Sequence, residues 1–239
     1  KLVTGVQTCA LPICNQLRAA VDGYGVYSTL APHRLRDPKV VSAADLAAHA
    51  VAPGSLITVL GATVDAVRVN GVSAPVLATS ATESQIQIPY GVRGGSVSFD
   101  AARKLPSLPL SETAPVIFVA RDGSPMLMDA ETGIMLDAMN PARPGMRVQI
   151  LATGLGQVAP AWPAGTAAPL ENPPRTEAIV RAFLDRSPVS VARAVLAPGF
   201  SGFYLVEIEI PRIANYGPAE LFLEAGGTAS KPVRVYIEP

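Results

Sequence analysis

The chain has 239 residues with 19 basic and 19 acidic side chains, and 49% of it is apolar. Balanced charge excludes the basic footprint that nucleic acid or an anionic membrane requires, and no apolar run approaches the ~20 residues of a spanning helix. The 23 prolines and 20 glycines are spread between short apolar runs, a pattern of strands joined by turns rather than of disorder. Charged residues make up only 16%, which leaves enough apolar side chain for sizeable cores and suits an extracellular bacterial β-domain.

The opening stretch KLVTGVQTCALPIC holds both cysteines, Cys9 and Cys14, at a spacing that is neither C-x-x-C nor a zinc pattern. Back-translated, Val3 to Ile13 resembles a common sequencing-library adaptor read in frame. Residues 1–14 are therefore set aside as an artefact of gene assembly, and residues 15–38 are read as the remnant of an upstream region of a longer protein. On that reading cysteine count gives no redox compartment, and the lack of a signal peptide gives no localisation.

From Ser42 to Ala50, SAADLAAHA offers a Ser cap and helix-forming alanines for one or two turns. Downstream, period-2 alternation dominates. VRVNGVSAPV alternates through Val67 and Val69, and Asn70-Gly71 supplies the two positive-φ residues of a tight hairpin. QIQIP, SVSF, MRVQIL, VEIEIP and VRVYI alternate likewise, with Val206, Ile208 and Ile210 inward and Glu207 and Glu209 outward. Asp122-Gly123, Thr132-Gly133 and Gly226-Gly227 mark further turns. Strands recurring about every ten residues predict an all-β fold of the sandwich kind.

An internal repeat refines that expectation. APGSLITVLGA at 52–62 lines up with RPGMRVQILAT at 143–153, and ESQIQIP with LVEIEIP. GGSVSF then matches GPAELFL. Two tandem immunoglobulin-like sandwiches follow: residues 39–103, a Pro- and Ser-rich linker over 104–115, and residues 116–239. TEAIVRAFLDRS has helical spacing, but the repeat places it opposite a hairpin. It is read as strand 178–184, a turn at 185–188 and a return strand over 189–196.

APGSLITVLG, VNGVSAPVL, QIQIPYGV, NPARPGMRVQILATGLGQV and LAPGFSGFYLVEIEIP carry a resemblance. They resemble a bacterial C-terminal domain family of the Solibacter type, seen mostly in secreted acidobacterial proteins, over roughly residues 40–239. The resemblance implies tandem sandwiches of the IPT/TIG kind at the end of large extracellular proteins. It supplies no catalytic residues. GATVDAV is shorter here than the corresponding stretch of the family.

Candidate chemistry is sparse. His33 and His49 sit in no metal or triad spacing. GLG at 154–156 leads into a Pro-rich segment, so a phosphate would find no helix terminus there. Asp122, Asp129, Glu131 and Asp137 gather in one hairpin-like stretch over 122–137, without the alternate-position spacing of a calcium loop. They are read as turn residues. Trp162, the single tryptophan, lies in QVAPAWPAGTAAPLENPPRT. It is the one candidate binding residue, set against the alternative that its indole pins this long loop to the second sandwich. The expectation is a non-catalytic structural and interaction module at the C-terminus of a larger secreted or surface bacterial protein, without cofactor or metal. Its partners would be upstream domains of the same protein and a glycan or surface protein. The alternative is a carbohydrate-binding accessory domain of an extracellular enzyme.

Overall fold

The computed structural model describes residues 37–239 and, before them, the backbone of β1 (Val6–Thr8), β2 (Gln16–Val21) and β3 (Gly25–Leu30). The chain divides into two compact units, Lys1–Asp37 and Pro38–Pro239. In the first, the three strands form an antiparallel sheet with Val6 opposite Ala19 and Gln16 opposite Leu30. Cys9, Cys14, His33 and most of the adaptor-like stretch lie outside the described residues.

The second unit opens with β4 (Lys39–Ser42), β5 (Leu56–Leu60), β6 (Val67–Val69), β7 (Val72–Ala74), β8 (Val76–Thr79) and β9 (Glu83–Gln87). It continues through β10 (Ser96–Val97), β11 (Phe99–Ala101) and β12 (Leu108–Pro109). One sheet runs β4-β5-β9-β8, a second β11-β6-β7, and β10 pairs with β12. Between them lies a core built on Ile57, Val59, Val67, Val69, Ile86, Ile88 and Val97. Leu105 and Leu108, from the Pro-rich stretch over 104–115, complete it. Asn70 and Gly71 take φ of 48° and 81° and close a two-residue hairpin, with Val69 opposite Val72.

Next come β13 (Val116–Ile117), β14 (Leu127–Asp129), β15 (Arg147–Thr153), β16 (Val158–Ala159), β17 (Arg175–Thr176) and β18 (Val180–Leu184). The chain ends with β19 (Ser187–Val189), β20 (Val191–Leu196), β21 (Tyr204–Glu209), β22 (Gly217–Ala225), β23 (Thr228–Ala229) and β24 (Val233–Ile237). One sheet runs β13-β15-β21-β20-β17-β16 with β14 also on β15; the other runs β19-β18-β22-β23 with β24 on β22. Their inward faces bury Val148, Ile150, Val206, Ile208, Ala182, Leu221 and Leu223. The molecule is thus all-β, two immunoglobulin-like sandwiches in tandem, with no helix among the described residues.

The repeat holds bond for bond. Gly54 N–H donates to the Ile88 carbonyl at 2.9 Å and Ile88 N–H to the Ser55 carbonyl at 2.8 Å. In the second copy Gly145 donates to Ile210 at 2.8 Å and Ile210 to Met146 at 2.9 Å. Both turns need a left-handed glycine, with φ of 83° and 82°.

One local expectation is corrected. The strand over 180–184 is present, but its turn is only Asp185-Arg186, and the return strand stops at Val189. After Ser190 the chain crosses to the opposite sheet, where β20 pairs with β21 through a bulge between Val191 and Arg193. The reason is backbone geometry: Asp185 and Arg186 adopt φ of 47° and 66°, which closes a two-residue hairpin without glycine. The stretch from Ser42 forms one turn, Leu46 N–H to Ser42 carbonyl at 3.0 Å, and goes no further because Leu46 sits at φ 55°. The Ser cap is in place, with Ser42 Oγ accepting from Ala44 N–H at 3.2 Å.

Candidate functional site

A polar and aromatic cluster lies where the two sandwiches meet. Tyr204 opens β21 and is 0% exposed. Its hydroxyl donates to the Gly156 carbonyl at 2.5 Å and lies 3.5 Å from the hydroxyl of Tyr90, which lies just beyond β9 in the first sandwich. Burial raises the Tyr204 hydroxyl pKa well above the usual tyrosine range, and burial also raises that of Tyr90. Gly54 packs under both rings: a Cβ there would overlap the Tyr204 hydroxyl and stand 2.5 Å from the Tyr90 ring.

Further bonds cross the junction. Leu56 N–H donates to Thr153 Oγ1 at 2.9 Å and Gln157 Nε2 to the Tyr90 carbonyl at 2.6 Å, while Thr113 Oγ1, in the connecting stretch, donates to the Ala225 carbonyl of the second sandwich at 2.6 Å. Apolar contact accompanies them, with Leu56 and Ala44 of the first sandwich clustering with Val116 and Phe118 of the second. Phe118 stacks on Phe203 at 4.7 Å, and Phe203 meets the exposed Phe200 edge-to-face at 5.9 Å. No buried side-chain N or O among the described residues lacks a partner.

Trp162 belongs to a strap over this junction. Its indole packs half-buried against the second core and donates from Nε1 to the Thr166 carbonyl at 3.2 Å. Gly165 N–H reaches across to Gln87 Oε1 of the first sandwich at 2.6 Å, and the Gly165 carbonyl accepts from Ser201 at 3.2 Å. Ala168 N–H donates to Phe200 at 3.0 Å and Gly199 N–H to Ala168 at 2.8 Å. The Pro-rich loop is therefore stitched to both sandwiches.

The acidic stretch over 122–137 is spent on its own turns. Asp122 accepts from Ser124 N–H at 3.0 Å, Asp129 from Glu131 N–H at 2.9 Å and Thr132 Oγ1 at 2.6 Å, and Asp137 from Met139 and Asn140 N–H at 2.7 and 2.8 Å. These bonds lower the pKa of Asp122, chiefly through Ser124 N–H, and of Asp129, chiefly through the Thr132 hydroxyl. His49 pairs with Asp45 at 2.6 Å, and Lys231 of the second sandwich stands 4.0 Å from the same carboxylate.

Sequence reasoning missed two features. Alternation places Glu207 outward, yet it is 4% exposed because Arg147 and Arg193 close over it at 3.3 and 2.9 Å. The signal was available: Arg147 and Glu207 occupy outward positions of strands the repeat makes neighbours. Pairing of Tyr90 with Tyr204 had no such signal.

No family model and no curated protein matches the chain. Among solved structures it is similar to SGBP-B of a Bacteroides ovatus mixed-linkage glucan utilization locus, in complex with a mixed-linkage heptasaccharide, at 12% identity and TM-score 0.36 over 79% of this chain and 43% of that one. It is similar to a surface glycan-binding protein from Prevotella bryantii at 7% identity and TM-score 0.29, over 82% of this chain and 40% of that one. A tandem from titin aligns at 11% identity and TM-score 0.26, over 83% of this chain and 65% of that one. The chain spans less than half the length of the two bacterial proteins.

Proposed function

We propose that this chain is a non-catalytic structural and interaction module of a larger secreted or surface bacterial protein, in which residues 38–239 act as one stiff spacer. The observation that carries the reading is the junction. Two sandwiches that need only be strung together are instead fastened by side-chain bonds in both directions, a contact between the hydroxyls of Tyr204 and Tyr90 and a strap that grips each. Flexible tandem domains leave small, wet contacts between them, whereas here the seam is packed like an interior. Such a seam fixes the distance and angle between whatever is attached to either end, which suits a spacer better than a hinge.

The resemblance to the Solibacter-type C-terminal domains supports the extracellular setting, and the low charge content agrees with it. On this reading the partners are upstream domains of the same protein together with a glycan or a surface protein. The purified chain, incubated with chromogenic ester, peptide and glycoside substrates, should release no product above buffer. Turnover that co-purifies with the chain and is lost on its denaturation would overturn the non-catalytic reading.

A further inference from the structure

A cleft of about 750 Å³ opens at the seam, with walls from both sandwiches. Pro53, Val92 and Arg93 line it from the first sandwich, Gln157 and Glu177 from the second, and Leu110 to Thr113 from the stretch between them. Its size is that of sites that enclose small ligands. We infer that this cleft binds a neutral oligosaccharide. The inference deepens the glycan partner of the reading above and rests on that part of it, not on the spacer role.

Rigidity is the first argument. Thr113 is tied to the Ala225 carbonyl at 2.6 Å, Gln157 to the Tyr90 carbonyl at 2.6 Å, and the Gly156 backbone is so close that a Cβ there would stand 2.6 Å from the Glu112 carbonyl. Walls from separate sandwiches are thus already in place, and a ligand need not order them.

Chemistry selects the ligand. Arg93, Glu112 and Glu177 are exposed on the cleft and make no ion pair among the described residues. The two carboxylates accept only, and the guanidinium donates only. A polycation would be repelled by Arg93, and a polyanion by the two glutamates. A pyranose brings hydroxyls that donate to carboxylates, oxygens that accept from arginine, and a C–H face for the half-buried Leu110. An extended peptide finds no free ladder: the N–H groups of Leu110, Ser111 and Glu177 are already bonded to Gly95, Val51 and Gln157.

The test titrates the full chain with cellohexaose, laminarihexaose, xylohexaose and maltohexaose, and with hexalysine, by calorimetry and by amide chemical shifts. At least one hexasaccharide should bind, with shifts centred on residues 93–94, 110–113 and 177–178. Glu112→Gln with Glu177→Gln, and separately Arg93→Ala, should weaken that binding at least about tenfold while leaving the thermal midpoint unchanged. Silence from all four sugars would overturn the inference. So would shifts centred on the strap around Trp162, full affinity in the variants, or tighter binding of hexalysine. None of these results touches the spacer reading, which fails instead if the two sandwiches reorient independently.

Discussion

Gly54 and Gly145 occupy the same place in the two copies of the repeat, with the same left-handed φ and the same pair of flanking hydrogen bonds. They differ only in what stands beside them. Around Gly145 nothing lies within 4 Å of an added Cβ, whereas at Gly54 that Cβ would overlap the Tyr204 hydroxyl and the Tyr90 ring. Gly145→Ala therefore measures backbone strain alone, about 1–2 kcal/mol for a left-handed alanine. Gly54→Ala adds overpacking of a filled seam, about 1–3 kcal/mol. It also displaces the Tyr204 hydroxyl from the Gly156 carbonyl, leaving a buried acceptor unpaired at a further ~1–3 kcal/mol. The expected difference between the two variants is about 2–6 kcal/mol, against a total domain stability on the order of 5–15 kcal/mol. Urea unfolding of the full chain followed through Trp162, the single tryptophan and part of the junction strap, reads it directly. Equal destabilisation of the two variants within about 0.5 kcal/mol would show that the seam contributes no stability, and the reasoning would fail.

Tyr204 and Tyr90 both hold their protons more tightly folded than unfolded, so the stability they lend is complete below the unfolded tyrosine pKa of ~10 and is lost as pH rises through the raised folded values. Unfolding free energy should thus decline above about pH 10, and Tyr204→Phe should flatten the decline; an identical slope in the variant would contradict it. Trp162→Ala should lower stability by about 1–3 kcal/mol, since a half-buried anchor and its bond to Thr166 are lost. An unchanged melting temperature with lost partner binding would instead make the indole a contact residue. Arg186→Gly should stabilise the chain by roughly 0.5–1 kcal/mol by relieving positive φ in the Asp185-Arg186 turn. A loss of stability in thermal melts would count against that turn.

Strand alternation and the repeat made the architecture legible, because both are written in local residue order. Asn70-Gly71 announced its hairpin, since glycine and asparagine are the residues that tolerate its φ values. Asp185-Arg186 gave no such notice: the turn is enforced by cross-strand pairing of Phe183 with Pro188 on one side and Phe222 on the other. Tertiary pairing there overrode the helical spacing of Ile179 and Phe183. The junction was illegible for a different reason. Tyr90 and Tyr204 are 114 residues apart, and nothing local to either says that they meet. Gly54 is half of a local Pro-Gly turn, while its second role depends on rings contributed from elsewhere. Trp162 was legible as an odd residue in a long loop, but which surface the loop grips depends on Gln87 in the other sandwich.

Residual dipolar couplings measured on the weakly aligned chain test the central claim most directly. Amides from Lys39–Ser42 through Phe99–Ala101 define an alignment tensor for the first sandwich, and those from Val116–Ile117 through Val233–Ile237 define one for the second. A seam locked by Thr153, Gln157, the Tyr90–Tyr204 contact and the Trp162 strap predicts a single tensor, equal in magnitude and orientation for both sets. Two tensors of different magnitude would mean that the sandwiches reorient independently, and would contradict the reading of this chain as one stiff spacer.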